Sequence, residues 1–197
     1  MPLPASAVGR KHLHTRTVTC QGFEREDGLW DVDGWMTDVK TFDFDNKDRG
    51  GIKAGEPLHG MGLRVTFSDN MTIVDAVAVT DFSPFRICPD ITPKFKELIG
   101  MRMVAGFNRA VKEKFGGTRG CTHLMELLGP IATTAFQTSA GKRWRQLRKD
   151  QKDPATQRPP PIMDSCHAWA SDNVIVEREF PKFYTGPKKE PAAGTQG

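Results

Sequence analysis

The hydrophobic period of this 197-residue chain changes once, and that change constrains its fold more than any other feature. Before about residue 80, apolar and polar residues alternate, as they do over residues 29–40, which is typical of strands whose two faces differ. From about residue 90, apolar residues recur with helical spacing. The sequence therefore predicts an α+β fold in which an antiparallel meander sheet of about four strands is packed by three helices.

The strands and their connections follow from the alternation and from turn residues. Ser68-Asp69-Asn70 is a turn signal that joins the last two strands into a hairpin. Residues 38–57 are dense in Asp, Lys and Gly and are predicted to form a loop. The predicted strands are residues 13–23, 29–40, 63–67 and 71–80.

Three helices are predicted after the sheet. The first begins at the N-cap Thr92, and the second covers residues 107–115 and ends at two glycines. The third begins at Cys121, with Thr122 as its N-cap, and runs to about Thr138. The buried stripe of the first helix is predicted to consist of Phe95, Leu98 and Ile99.

Basic residues concentrate near the end of the chain. Residues 142–158 hold seven basic residues against two acidic ones, so the formal net charge of +4 is a local property. We predict one α+β domain over 1–150 and a Pro-rich linker over 151–161. The C-terminal segment 162–197 is predicted to pack back on the domain with a short strand or hairpin at Val174–Val176, and its end is predicted to be disordered.

Composition argues against several classes of protein. The basic segment with Trp144 is compatible with a basic-tailed binding module, but no groove-reading motif accompanies it, so we predict no nucleic-acid binding. No apolar run approaches a membrane span, and residues 1–11 lack the apolar core of a signal peptide. Four scattered cysteines indicate reduced thiols. We therefore expect a cytoplasmic protein with no membrane association, and a homodimer is compatible with the sequence.

A thiol, an imidazole and a carboxylate gather at the start of the third helix. Helical spacing places His123 and Glu126 on one face, at i and i+3, while Cys121 lies in the positive field of the helix end. Such a thiol ionises more readily than a free one. This grouping indicates that the three side chains form a functional site and do not serve only to pack the core.

Several distinctive motifs are spread over nearly the whole chain. They are Leu13-His14-Thr15-Arg16, Asp27-Gly28-Leu29-Trp30-Asp31, Thr37–Phe44, Ala54–His59, Ile87-Cys88-Pro89, Gly120–Pro130 and Asp164–Ala168. Together they resemble the bacterial family DUF2889, and the resemblance implies an enzyme of aromatic catabolism. After His59 the chain has Gly60 and Gly62 where the family usually has an acidic residue and a Trp, which implies a larger pocket beside His59.

The order of elements is also similar to that of iron–sulfur scaffold proteins of the NifU N-terminal type. Their metal-binding residues sit just before a hairpin, just after it and at a later helix start. On this chain the matching positions imply that four residues converge: His59, Cys88, Cys121 and His123.

Three chemistries are open for such a cluster. Two thiolates and two imidazoles are a common zinc set, so a zinc or iron site in a metal-binding or iron–sulfur-related accessory protein is one alternative. A second alternative is a nucleophilic thiol at Cys121 or in the Cys166-His167 pair. The third, which we favour, is acid–base catalysis without a metal or cofactor, because His titrates near neutral pH and no cofactor-binding motif is present.

The predicted function is a cofactor-independent lyase of plant-derived phenolic compounds, such as lignin-derived dimers, with release of a small fragment such as formaldehyde. Twelve Phe, four Trp and eight Met supply apolar lining for a small aromatic substrate. The predicted catalytic residues are His123 as the general base, Glu126, which orients or tunes it, His59 and Cys121. The predicted substrate-binding residues are Asp38, Lys40, Asp43, Arg49 and Arg64.

Overall fold

A computed structural model describes residues 2–150 and 158–187 of the chain. Four antiparallel strands form one sheet in the order β1-β2-β3-β4, which confirms the predicted α+β meander. The third strand begins earlier than the alternation predicted, because Gly60 and Gly62 interrupt its apolar pattern. The strands are β1 (His14–Glu24), β2 (Trp30–Lys40), β3 (Pro57–Phe67) and β4 (Ile73–Phe82).

Helices cover one face of this sheet, and the core lies between the two layers. The inner face of β2 carries Trp30, Val32 and Met36, all of them buried. Helix α2 (Thr122–Thr138) buries Leu124, Leu127, Leu128, Ile131 and Ala135. Helix α1 (Phe107–Phe115) buries Phe107, Val111 and Phe115, as its spacing predicts.

Two details of the helices differ from the prediction. Residues Cys88–Leu98 form a 3₁₀ helix that starts before Thr92, and Ile99 lies outside it with an exposed side chain. The N-cap of α2 is Cys121 and not Thr122, and no side chain caps the helix. The Thr122 backbone is already helical, because the extended backbone that begins α2 belongs to the preceding residue.

The chain divides into two compact units, Met1–Gly141 and Lys142–Gly197. Helix α3 (Ala140–Asp150) carries the basic segment and crosses this division. Within the second unit, Trp144, Trp169 and Phe180 form a cluster with ring centroids 5.9–6.1 Å apart. Most of the predicted linker, at 151–157, and the predicted disordered end from residue 188 lie outside the described residues.

The predicted C-terminal strand is wrong. Val174–Glu179 is a short helix, α4, whose N-cap Asn173 accepts a hydrogen bond from the backbone N–H of Ile175. Three consecutive β-branched residues suggested a strand, but the Asn cap and the single buried residue Val176 favour a helix. Among the described residues, no helix combines the length and apolar character that crossing a membrane requires.

Candidate functional site

A buried carboxylate, Asp38, organises the polar cluster at one end of the sheet. Its two oxygens accept hydrogen bonds from Arg16, with Nε and Nη2 each at 2.8 Å. His14 Nε2 lies 3.0 Å from Oδ1, and His59 Nδ1 lies 2.9 Å from Oδ2. Each carboxylate oxygen therefore has two nitrogen partners, so both lone pairs of each oxygen are used.

Strand register brings these residues together. Asp38 lies opposite Arg16 of β1 and opposite His59 of β3, so all three side chains project from the inner face of the sheet. His14 lies two residues before Arg16 and shares that face. The sheet alone therefore assembles the polar floor of the site.

The first turn of α2 adds two side chains above this floor. The His123 ring stacks on the His59 ring, with centroids 3.8 Å apart and planes inclined by 32°. His123 Nε2 is 3.8 Å from Asp38 Oδ2, beyond hydrogen-bonding distance. Glu126 accepts from Arg16 Nη1, so the guanidinium bridges two carboxylates. Glu126 thus pairs with Arg16, and its charge also acts to raise the pKa of His123.

Charge compensation keeps Asp38 ionised despite its burial. Burial acts to raise the pKa of Asp38, but the hydrogen bonds and charge of Arg16, with those of His59 and His14, outweigh it and hold that pKa well below its usual range. The same contact raises the pKa of Arg16. Because Asp38 carries no proton, the nitrogen of His59 that faces it must be the donor.

Both stacked imidazoles are held in the neutral form. Burial lowers the pKa of His59, and the neighbouring His123 lowers it further against the opposing effect of Asp38. Burial and the positive charge of Arg16 lower the pKa of His123. Two neutral imidazoles in contact can accept one proton between them far more readily than two.

The cluster is graded from buried to exposed. The side chain of Asp38 is 1% exposed and that of His59 is 11%, while His123 reaches 25% and Glu126 reaches 47%. Solvent reaches His123 from the side of α2's first turn. The carboxylate beneath the two imidazoles is sealed off.

The structure brings together four of the sequence-predicted site residues and leaves others apart. His59, His123, Glu126 and Asp38 share the cluster, although Asp38 is too buried to touch a substrate. Cys121 is half-buried and lies beside the cluster, with Sγ 3.8 Å from Sδ of Met61.

The remaining predicted substrate-binding residues have other surroundings. Lys40 lies on the inner face of β2, but its ammonium sits over the rings of Phe42 and Phe44. Asp43 binds Lys53 Nζ and the Ala54 backbone, and Arg49 donates to the Pro57 carbonyl.

Arg64 lies on the opposite face of the sheet from the site. It pairs with Asp33 through two 2.6 Å hydrogen bonds on the outer face. Five residues separate His59 from Arg64 along β3, and alternation puts an odd spacing on opposite faces. The prediction that Arg64 binds substrate at this site is therefore wrong.

Sequence reasoning missed His14 and Arg16 as site residues. The pair was visible as a His-x-Arg spacing on a predicted strand, which places both side chains on one face. Nothing in the sequence identified that face as the one carrying Asp38, because the register of β1 with β2 is a tertiary property.

The cluster also contains a group of potential metal ligands. Within residues 2–150 and 158–187, Asp38, His59 and His123 offer ligand atoms that all lie within 4.8 Å of one another. Neither Cys88 nor Cys121 belongs to this group. The resemblance to iron–sulfur scaffold proteins implied two thiolates beside the two imidazoles, but the structure has the carboxylate of Asp38 there.

Comparison with known proteins assigns the family but no activity. No curated protein and no solved structure matches the chain. The model of a family described as "Protein of unknown function (DUF2889)" matches residues 14–137, a span that contains the whole cluster from His14 to Glu126. The chain therefore belongs to the DUF2889 family.

Proposed function

We propose that this chain is an acid–base enzyme of the lyase class in which His59 is the general base. One observation carries the proposal: His59 donates through Nδ1 to the buried, ionised Asp38, at 2.9 Å. A carboxylate in that position fixes the tautomer and the orientation of an imidazole, and it stabilises the imidazolium that forms when the ring takes a proton. Asp38 is then a positioning residue.

The free nitrogen of His59 is the basic atom. With Nδ1 bound to Asp38, the lone pair of a neutral ring is on Nε2. The low pKa of His59 keeps that lone pair available at neutral pH. His123, stacked against it and more exposed, is placed to donate a hydrogen bond to the substrate.

The proposed reaction requires no external oxidant or reductant. His59 takes the hydroxyl proton of a hydroxymethyl group, the carbon–oxygen bond becomes a carbonyl, and formaldehyde leaves. The electrons of the broken carbon–carbon bond form a double bond conjugated with the phenolic ring and expel a hydroxyl group from the carbon next to the ring, which leaves as water with the proton that His59 had taken. The substrate class is a plant-derived phenolic compound. Met125, which lies between His123 and Glu126 in the first turn of α2 and is partly buried, is an apolar side chain available to an aromatic ring.

Histidine NMR tests the acid–base assignment without a substrate. We expect His59 to be the Nδ1–H tautomer at pH 7, with a pKa below 6.5, and we expect His123→Ala to raise that pKa, because a proton on His123 opposes a proton on His59. An Nε2–H tautomer, or a His59 that is protonated at pH 7, would contradict the assignment.

Turnover tests the reaction itself. Phenolic compounds with a hydroxymethyl side chain are assayed for formaldehyde release, and His59→Ala and His123→Ala should each lower kcat by roughly 10²–10⁴. Arg64→Ala is the matched control, because Arg64 lies on the other face of the sheet. Equal losses in the control and the His variants would contradict the proposal.

A metal centre is the second candidate, and the Asp38, His59 and His123 group is the observation that favours it. Two imidazoles and one carboxylate are a ligand set found with zinc and non-haem iron. Against it, both oxygens of Asp38 already have two nitrogen partners each, so Asp38 is better placed to orient a ligating His59 than to bind the ion. Metal analysis of purified protein tests this candidate. About one zinc or iron ion per chain, lost in His59→Ala, would favour the metal centre over the metal-free enzyme.

A further inference from the structure

Among the described residues, no other strand pairs with the outer edge of β1. β1 pairs with β2 over eleven residues without a bulge, whereas the two other strand pairs contain register shifts. Ten of its eleven residues are exposed, and Cys20 alone is half-buried. β1 contains neither Pro nor Lys, two of the residues that natural proteins use to protect such an edge.

The outward-facing backbone groups of β1 can be identified. At the two ends of the β1–β2 pair, the Leu13 carbonyl accepts from Thr41 and the Arg25 N–H donates to Leu29, so odd-numbered residues bond to β2. Backbone groups of an antiparallel strand alternate in direction, so those of the even-numbered residues point to the free edge. His12 Nε2, which lies 3.0 Å from the His14 carbonyl oxygen, agrees with this assignment.

We propose that a second copy of the chain pairs with this edge, β1 against β1 in antiparallel register, with Thr19 of each copy on the two-fold axis. In this register Val18 faces Cys20 of the second copy and Arg16 faces Gly22. These are even-numbered residues, so their free N–H and C=O groups meet as hydrogen-bonded pairs. The four-stranded sheet becomes one continuous sheet across a self-complementary, isologous interface.

Side-chain charges select this register. It places His14 opposite Glu24 of the second copy at each end, and no like charges lie opposite each other. Arg16, which turns inward to Asp38, faces only the hydrogen of Gly22. Val18, 43% exposed on the inner face, gains an apolar neighbour in Cys20.

The interface adds a residue to the rim of the site. Glu24 of the second copy would lie beside His14, whose ring contacts Asp38. The His14 carbonyl is already near His12, so the backbone pairing extends over Arg16–Gly22 and the contact at each end is between side chains. The inference rests on strand geometry and does not depend on the proposed reaction.

A single cysteine on the axis tests both the dimer and its register. Thr19 faces itself in a non-hydrogen-bonded pair, where the Cα atoms lie about 4.5 Å apart, within the range that a disulfide spans. Thr19→Cys should therefore give a covalent dimer under mild oxidation. Thr17→Cys is the matched control, equally exposed on the same strand and face, but each copy's Thr17 lies opposite Gln21 and should not cross-link.

The mass of the unmodified chain in solution completes the test. Light scattering should give twice the 21.9 kDa of one chain, and Glu24→Lys should shift the population towards the monomer because it opposes His14 and Arg16. A monomer at the highest soluble concentration would overturn the proposal. A dimer in which Thr17→Cys cross-links as readily as Thr19→Cys would overturn the register.

Discussion

At the scale of single residues, Asp38 is the most consequential side chain in the molecule. It is fully buried, it accepts from three side chains, and it fixes the orientation of the proposed base. A buried charge of this kind is tolerated only because Arg16 compensates it and every lone pair has a partner. Removing the charge should therefore change stability and chemistry together.

The pKa shifts predict a two-step dependence of stability on pH. The folded-state pKa values of His59 and His123 lie below the ordinary value of 6.5, so the unfolded chain takes up protons first and stability declines as the pH falls below about 6.5. Asp38 has a folded-state pKa below its ordinary value of 3.8, so its contribution is present above about pH 4 and is lost below. Urea unfolding across pH measures both steps.

Asp38→Asn should reduce the acidic step and lower stability at pH 7. The amide keeps the shape but leaves Arg16 without its buried counter-ion and places an amide hydrogen against other donors, which costs about 1–3 kcal/mol. The same variant should reduce turnover because His59 loses its orienting acceptor. A variant as stable as the parent chain at pH 7 would contradict this role of the buried Asp38 charge.

At the scale of elements, α2 is held against the sheet by glycines that let it approach closely. A Cβ added at Gly34 of β2 would lie 2.7 Å from Cδ1 of Ile131, which is fully buried and cannot withdraw. A Cβ at Gly22 of β1 would collide with Thr138 near the other end of the same helix. This close packing also fixes the first turn of α2, and with it His123 over His59.

Gly34→Ala should destabilise the chain by about 1–3 kcal/mol, the usual effect of overpacking a core. Gly62→Ala is the comparison, because its Cβ would meet Trp35 and Val79, which are 37% and 41% exposed, and not a fully buried side chain. Thermal unfolding should show the larger effect for Gly34→Ala. Combining Gly34→Ala with Ile131→Ala should cost less than the sum of the two single changes, and strict additivity would argue against a direct clash.

At the scale of the whole molecule, the site and the basic helix belong to different units. Every residue of the cluster lies before Gly141, while Arg145 and Arg148 are exposed on α3 in the second unit. The second unit has its own aromatic cluster of Trp144, Trp169 and Phe180. The proposed chemistry therefore uses no residue of the second unit.

Neutralising Arg145 and Arg148 together with Gln should leave the His59 pKa and turnover unchanged. We also expect no binding of DNA or RNA at physiological salt. If the chain did bind, affinity would fall steeply with added salt and would weaken in the double variant, because counterion release follows the number of phosphate contacts. Micromolar, salt-sensitive binding would make the basic helix a nucleic-acid interface.

Local sequence patterns were sufficient for most of the fold. Alternation along residues 30–40 predicted β2 and its inner face, and the spacing of Phe107, Val111 and Phe115 predicted α1, because burial of one face imposes a period that sequence displays directly. The same reasoning failed at Val174–Val176, where a β-branched run is ambiguous and an Asn cap at the preceding residue favours a helix.

The sequence by itself determined which side chains were available for chemistry, and it singled out His59, His123 and Glu126. Only the tertiary structure decided their partners. Asp38, 21 residues before His59 and 85 before His123, becomes their common neighbour because strand register and helix docking set distances that no local pattern encodes. Register also turned Arg64 away from the site and brought Arg16 into it, since a side chain's face depends on how its strand pairs.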